Sequence, residues 1–123
     1  MDQERLLERL KNAAGSGSLS HAYILEGTKN SGKEELARKL ARSLTPYAED
    51  ITIISMDGKS VKDEAVENLQ ERLSLKPMVG DLNVAIVEDA DTMTVRAQNR
   101  FLKTLEEPPG GAVIFLLSEN RSN

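Results

Sequence analysis

The 123-residue chain contains no cysteine, which excludes both a disulfide framework and a thiolate zinc site. A cytoplasmic setting is the simplest expectation from that absence. It also lacks excess positive charge: 16 basic against 20 acidic side chains leave a formal net charge of −4. Coating nucleic acid by bulk charge is thereby excluded, while a local basic stripe is not. No window is long and apolar enough for a membrane span. The amino-terminal MDQERLLERLKNAA is charged and amphipathic and has no apolar signal core. There is no internal repeat and no low-complexity tract. What remains is one domain, residues 1–123, long enough to bury a core but short for a complete multi-element enzyme.

Two continuously apolar runs organise the chain, Val84-Ala85-Ile86-Val87 and Val113-Ile114-Phe115-Leu116-Leu117. Runs without alternation suit strands covered on both faces, as in a parallel sheet. Between them Ala97, Phe101 and Leu105 recur every fourth residue with Leu102 alongside, which predicts a helix packed on that sheet. Arg96, Arg100 and Lys103 are expected on its outward face, where a solvated surface is the usual role and DNA contact the functional one. Pro108-Pro109 and Gly110-Gly111 end the helix and begin the turn into the next strand.

Upstream, Leu6, Leu7, Leu10 and Ala14 share one helical face, and GSGSLS makes a flexible join, so residues 1–20 are expected to be a helix and linker. Ala22-Tyr23-Ile24-Leu25 is a short strand. It leads into Gly27-Thr28-Lys29-Asn30-Ser31-Gly32-Lys33, after which Leu36, Ala37, Leu40, Ala41 and Leu44 give a helical period. Strand, glycine loop, lysine and helix form the context of a P-loop. There backbone N–H groups surround phosphates at a helix N-terminus and the lysine reaches the terminal phosphates.

The helix should stop at Thr45-Pro46, and Ile51–Ser55 supplies the next strand. Ser60 and Asp63 resemble a capping-box pair opening a helix with Ala65, Val66, Leu69 and Leu73 on its apolar face, closed by Lys76-Pro77. Glu88, Asp89 and Asp91 follow the 84–87 strand directly, where open α/β sheets place ligand-binding groups; acidic groups there commonly hold a metal or orient a water. The expected architecture is a three-layer α/β sandwich with a parallel sheet and right-handed crossovers.

Three stretches together resemble the bacterial clamp-loader subunits of the DNA polymerase III holoenzyme, which are AAA+ proteins: Ser20–Leu25 before the P-loop, Leu73–Pro77, and Ala97-Gln98-Asn99-Arg100-Phe101-Leu102-Lys103-Thr104-Leu105-Glu106-Glu107-Pro108-Pro109. The last is similar to A-x-N-x-L-L-K-x-L-E-E-P-P and is the most specific. Within the family the chain looks most like the delta-prime type, whose nucleotide motifs are often degraded, rather than the ATP-hydrolysing tau/gamma type. The resemblance implies a P-loop NTPase core of the AAA+/RecA-like kind, ending before a fifth strand and helical lid. The edge beside Tyr23-Ile24-Leu25 is then expected to be open.

It implies nucleotide-site positions Gly27, Gly32, Lys33 and Glu34, with Asn120 as the γ-phosphate sensor. Glu88 and Asp89 become catalytic candidates. Two departures argue against catalysis. Glu34 stands where the family's magnesium-binding Ser or Thr follows the lysine, and Glu88-Asp89 reverses the usual Asp-Glu order. ATP or ADP with magnesium is therefore expected to bind weakly, if at all, with the chain's own ATPase activity absent or weak. The Thr45–Asp50 stretch is too short for the four-cysteine zinc insertion of many relatives, so no zinc is expected. The arginine-finger motif would come after Asn123. His21 fits the family pattern and has no triad partner, which favours packing or capping. Implied partners are the delta and tau/gamma subunits, with DNA met only in the assembled loader and no membrane. The alternative is an ATP-hydrolysing motor subunit of the tau/gamma kind.

Overall fold

The computed structural model describes residues 22–28, 31–106 and 111–119. The expected amino-terminal helix, His21, the Pro108-Pro109 turn and Asn120 lie outside the described residues. Strand β1 (Ala22–Gly27) leads to helix α1 (Lys33–Leu44), β2 (Ile51–Ile54), α2 (Asp63–Leu73), β3 (Val84–Val87), α3 (Val95–Glu106) and β4 (Val113–Glu119). The described strands form one parallel sheet in the order β1-β4-β3-β2, so β1 stands at one edge and β2 at the other.

The apolar runs sit where two-sided burial demands. All four residues of β3 are buried, as are Val113–Ser118 of β4. Because side chains alternate along a strand, each run serves two cores. Ala85, Val87, Ile114 and Leu116 meet Val66, Leu69 and Leu73 of α2 and Ala97, Phe101 and Leu105 of α3 on one face. Val84, Ile86, Val113, Phe115 and Leu117 meet Ala37 and Ala41 of α1 on the other. The result is the three-layer α/β sandwich that the alternation of elements predicts. No helix among the described residues is long and apolar enough to cross a membrane.

One local expectation changes, and two local features carried no signal in the sequence. Helix α2 starts without a capping box: Lys62 occupies the N-cap with no side-chain cap bond, Ser60 bridges to Asp57, and the Asp63 carboxylate binds Arg100. A tertiary ion pair has taken the carboxylate that the local motif would have used. Helix α3 is capped instead by Thr94, whose Oγ1 accepts a hydrogen bond from Ala97 N at 3.1 Å. On α1 only the small side chains Ala37 and Ala41 reach the sheet, while Leu36, Leu40 and Leu44 stay largely exposed. Leu40 and Leu44, with Tyr23, Leu25 and Phe115, line an apolar groove of about 300 Å³ beside the β1 edge.

Candidate functional site

The glycine loop leaves the carboxyl end of β1, and the register pairs Gly27 with Glu119 at the same end of the neighbouring β4. Gly32 has φ +89°, a left-handed conformation that turns the chain into α1 with Lys33 as its first residue. At Gly27 a Cβ would lie 2.5 Å from Ser31 Oγ and 3.1 Å from Ser31 Cβ, so a larger residue there would have to displace the Ser31 side chain. Ser31 N donates to Thr28 O at 3.1 Å, closing the turn. Gly27 and Gly32 thus lie at the two ends of the loop, and Lys33 opens a twelve-residue helix.

The charges around that loop are less suited to a phosphate chain. Lys33 Nζ donates to Thr28 O at 3.2 Å and lies 3.3 Å from Glu34 Oε2, so its charge is matched by its own neighbour. The Lys33 side chain is only 10% exposed against 39% for Glu34. Asp89 borders the same region. Burial pushes its carboxyl above the ordinary value, Asp91, Glu34 and Glu119 push it further, and Lys33 opposes them. Asp89 also carries the one positive φ among the described non-glycine residues, +56°.

Glu88 is directed elsewhere. Its Oε2 accepts from Arg38 Nη2 of α1 at 3.0 Å, and its backbone N donates to Ile54 O at 2.8 Å, which seats it across the end of β2. Asp91 Oδ1 accepts from Glu119 N at 3.2 Å, joining the turn after β3 to the end of β4. Among the described residues no group of carboxylates and histidine could hold a metal ion. Lys33 is matched by Glu34, and Asp89, Asp91 and Glu119 lie at the same end of the sheet, a charge set that does not favour a magnesium-bound phosphate chain.

The other set of candidates, Arg96, Arg100 and Lys103, divides. Arg96 and Lys103 are exposed. Arg100 turns toward α2, with Nε 2.6 Å from Asp63 Oδ1, Nη2 3.0 Å from Oδ2, and Nη2 3.4 Å from Glu67 Oε2. Gln70 reinforces the joint, its Nε2 donating to Arg100 O at 3.0 Å and Thr104 Oγ1 at 2.6 Å. A polar cleft of about 370 Å³ lies between the helices, with Arg96, Asn99 and Lys103 on its rim. Arg38 and Gln70 were not legible as site residues, because their partners are 50 and 34 residues away in sequence.

Fold and loop together define the class: a parallel α/β sandwich with a glycine loop between its first strand and first helix. Residues 2–123 match the family model described as "DNA polymerase III, delta subunit". The chain is 33% identical to the DNA polymerase III subunit delta' of Bacillus subtilis, over 95% of its own length and 42% of that protein's. It is 32% identical to subunit tau/gamma of Haemophilus influenzae, over 94% of its length and 20% of the relative's. A solved structure of a DNA polymerase III gamma subunit-related protein from Thermotoga maritima superposes with a TM-score of 0.73 at 27% identity, covering 97% of this chain and 40% of that one. The chain belongs to the family of DNA polymerase III clamp-loader subunits, and it spans less than half the length of these relatives.

Proposed function

We propose that this chain is the core of a clamp-loader subunit of the delta-prime kind, serving DNA replication in the cytoplasm as a scaffold that does not hydrolyse ATP. The supporting observation is the Lys33–Glu34 pair, with Lys33 Nζ also bonded to Thr28 O. A carboxylate at a helix N-terminus is stabilised by roughly 0.3–1 kcal/mol, so Glu34 fills electrostatically the place a phosphate would take. A nucleotide entering the loop must displace it, and magnesium finds a charged carboxylate where an hydroxyl would ligate. The loop then keeps its shape without turnover. Its expected partners are the delta and tau/gamma subunits in a hetero-oligomer, with Arg96 and Lys103 available to DNA phosphates only within that assembly.

Nucleotide titration of the purified chain, with and without magnesium, tests the reading. The native chain should bind ATP weakly and gain little from magnesium, and Glu34→Thr should raise magnesium-dependent affinity. Hydrolysis should stay low in that variant unless Glu88 and Asp89 are also exchanged. The rival reading, an ATP-hydrolysing motor of the tau/gamma kind, requires robust turnover by the unmodified subunit in an assembly whose other P-loops are disabled.

A further inference from the structure

The turn after β2 carries the one Asp-Gly pair in the sequence, Asp57-Gly58. A backbone nitrogen that follows an aspartate lies within reach of that side chain's carboxyl carbon, and a glycine brings no Cβ to obstruct the approach. Whether a fold lets the two groups meet depends on how tightly it holds them. Most of the neighbouring carboxylates are held. Asp50 accepts from Met78 N at 2.6 Å, Val79 N at 3.1 Å and Gly80 N at 2.6 Å; burial pushes its carboxyl up, and those donors with Arg72 bring it below its ordinary value. Asp63 is gripped by Arg100, and Asp91 accepts from Glu119 N.

Asp57 stands apart. Its side chain is 87% exposed, and its ion pair with Lys62 Nζ, at 3.6 Å, joins two exposed groups and restrains it little. Residues 55–59 are all exposed. Gly58 has φ +73°, a Cβ there would meet nothing within 4 Å, and its N–H donates no hydrogen bond among the described residues. The turn is closed by Asp57 N donating to Ser60 O at 2.9 Å, a bond that uses neither the Asp57 carboxyl nor the Gly58 nitrogen.

We propose that Asp57 is a site of spontaneous covalent modification, isomerising to isoaspartate through a five-membered cyclic imide formed with Gly58. The Gly58 nitrogen attacks the Asp57 carboxyl carbon with the carboxyl in its acid form. A C–N bond forms, a C–O bond breaks, and the amide proton leaves with the hydroxyl as one water. One water then adds back. Opening at the side-chain carbonyl restores Asp57; opening at the main-chain carbonyl frees an α-carboxylate and routes the backbone through the former side chain. Mass and oxidation state are unchanged.

The fold contains the added backbone atom. Val61 is fully buried, its N donates to Thr92 O at 3.2 Å and its O accepts from Thr94 N at 3.0 Å, so the change is absorbed in the exposed turn ahead of that anchor. The site follows the β2 edge of the sheet, whereas the glycine loop follows β1 at the other edge, and the reaction is independent of whether nucleotide binds.

The test ages the 123-residue chain in water enriched in oxygen-18 and maps its digest by mass spectrometry. The peptide containing Asp57 should split into two chromatographic species of one sequence. The new species should carry solvent oxygen, resist a protease that cuts before aspartate, and accept a methyl group from S-adenosylmethionine in the presence of an isoaspartyl carboxyl methyltransferase. Gly58→Ala should slow its formation at least about tenfold. Because Ala at a positive φ strains the turn, Asp57→Glu, which keeps the charge and the glycine, is the second variant and should suppress the reaction as well. Asp57→Asn, closing the same ring with loss of ammonia, should speed it. The proposal is overturned if a free peptide of residues 55–60 isomerises more than about tenfold faster than the folded chain, since the turn would then be restraining the pair. Isoaspartate that maps away from position 57, or that forms undiminished in Asp57→Glu, overturns it equally.

Discussion

Asp63, the first residue of α2, holds Arg100 of α3 through two hydrogen bonds, Nε to Oδ1 at 2.6 Å and Nη2 to Oδ2 at 3.0 Å. Bidentate geometry fixes both the angle and the register of the two helices, which share one face of the sheet. The hydrogen bonds from Arg100 hold the Asp63 carboxyl below its ordinary value against the opposing effect of burial, and the same contact holds the Arg100 guanidinium charged. Arg100 is thereby a structural joint between helices, and replacing it should lower stability. Arg100→Lys should recover little, because a single ammonium cannot supply the planar fork. A double-mutant cycle with Asp63→Ala should show non-additive melting temperatures; additive losses would mean that the pair contributes nothing jointly.

The two helices also decide which basic side chains stay exposed: Arg96 and Lys103 do, while Arg100 is held by Asp63. In an assembled loader, replacing Arg96 and Lys103 by Ala should reduce the slope of log affinity against log salt by about one for each phosphate that is no longer neutralised. Arg100→Ala should leave that slope nearly unchanged while lowering the melting temperature. A slope that follows Arg100 instead would mean that the Asp63 pair opens on DNA.

Acid should act through the same carboxylates. Asp63 and Asp50 both titrate below their ordinary value in the folded chain. Each therefore contributes stability that is complete above the unfolded value, about pH 3.9, and is lost as pH falls from there through the folded value. Urea midpoints measured from pH 6 down to pH 2 should drop most steeply in that lower range. Asp50→Asn should flatten part of the drop, and an unchanged profile would remove Asp50 as its source.

Phe101 is fully buried between the sheet and α2, in the cluster containing Leu69, Leu105, Ile114 and Leu116. Phe101→Ala removes a ring from the larger core and should cost about 3–5 kcal/mol in urea unfolding. Leu44→Ala should cost well under that, since Leu44 is 45% exposed.

The contrast shows what was legible in the sequence. Unbroken apolar runs announced β3 and β4 because both faces of a central strand are buried, and a four-residue spacing announced α3 because only one face packs. Both signals are local. The α1 period was equally clear, yet it did not reveal that Leu36, Leu40 and Leu44 would flank the sheet while Ala37 and Ala41 touch it; that depends on how closely the helix approaches. The glycine loop was legible because Gly32 answers a local backbone need, a left-handed turn into α1. The destinations of Glu88, Asp63 and Asp50 were not, because Arg38, Arg100 and the 78–80 amides are brought to them by tertiary folding. Charge in a motif can be read from sequence, but the group that neutralises it cannot.

Asp89 carries two costs that can be separated by substitution. Its φ of +56° is a left-handed conformation that Asp and Asn tolerate better than other non-glycine residues. Its carboxyl is raised by burial and then by Asp91, Glu34 and Glu119, with only Lys33 opposing. A folded value above the unfolded one means that stability falls as pH rises through that window, and the full penalty persists at neutral pH. Asp89→Asn removes the charge and keeps the backbone preference, so it should stabilise at pH 7 by roughly 0.5 kcal/mol, the scale of solvent-screened charges. The gain should vanish below about pH 4, where the native carboxyl is protonated in both states. Asp89→Ala removes the same charge but places Ala in the left-handed region at a cost of about 1–2 kcal/mol, and should be net destabilising at every pH. Urea unfolding of the three proteins at pH 7 and pH 3.5 separates the contributions. Equal gains from Asn and Ala at pH 7 would leave charge as the whole effect, and loss of stability in Asp89→Asn at pH 7 would show that the carboxylate is needed at the mouth of the loop.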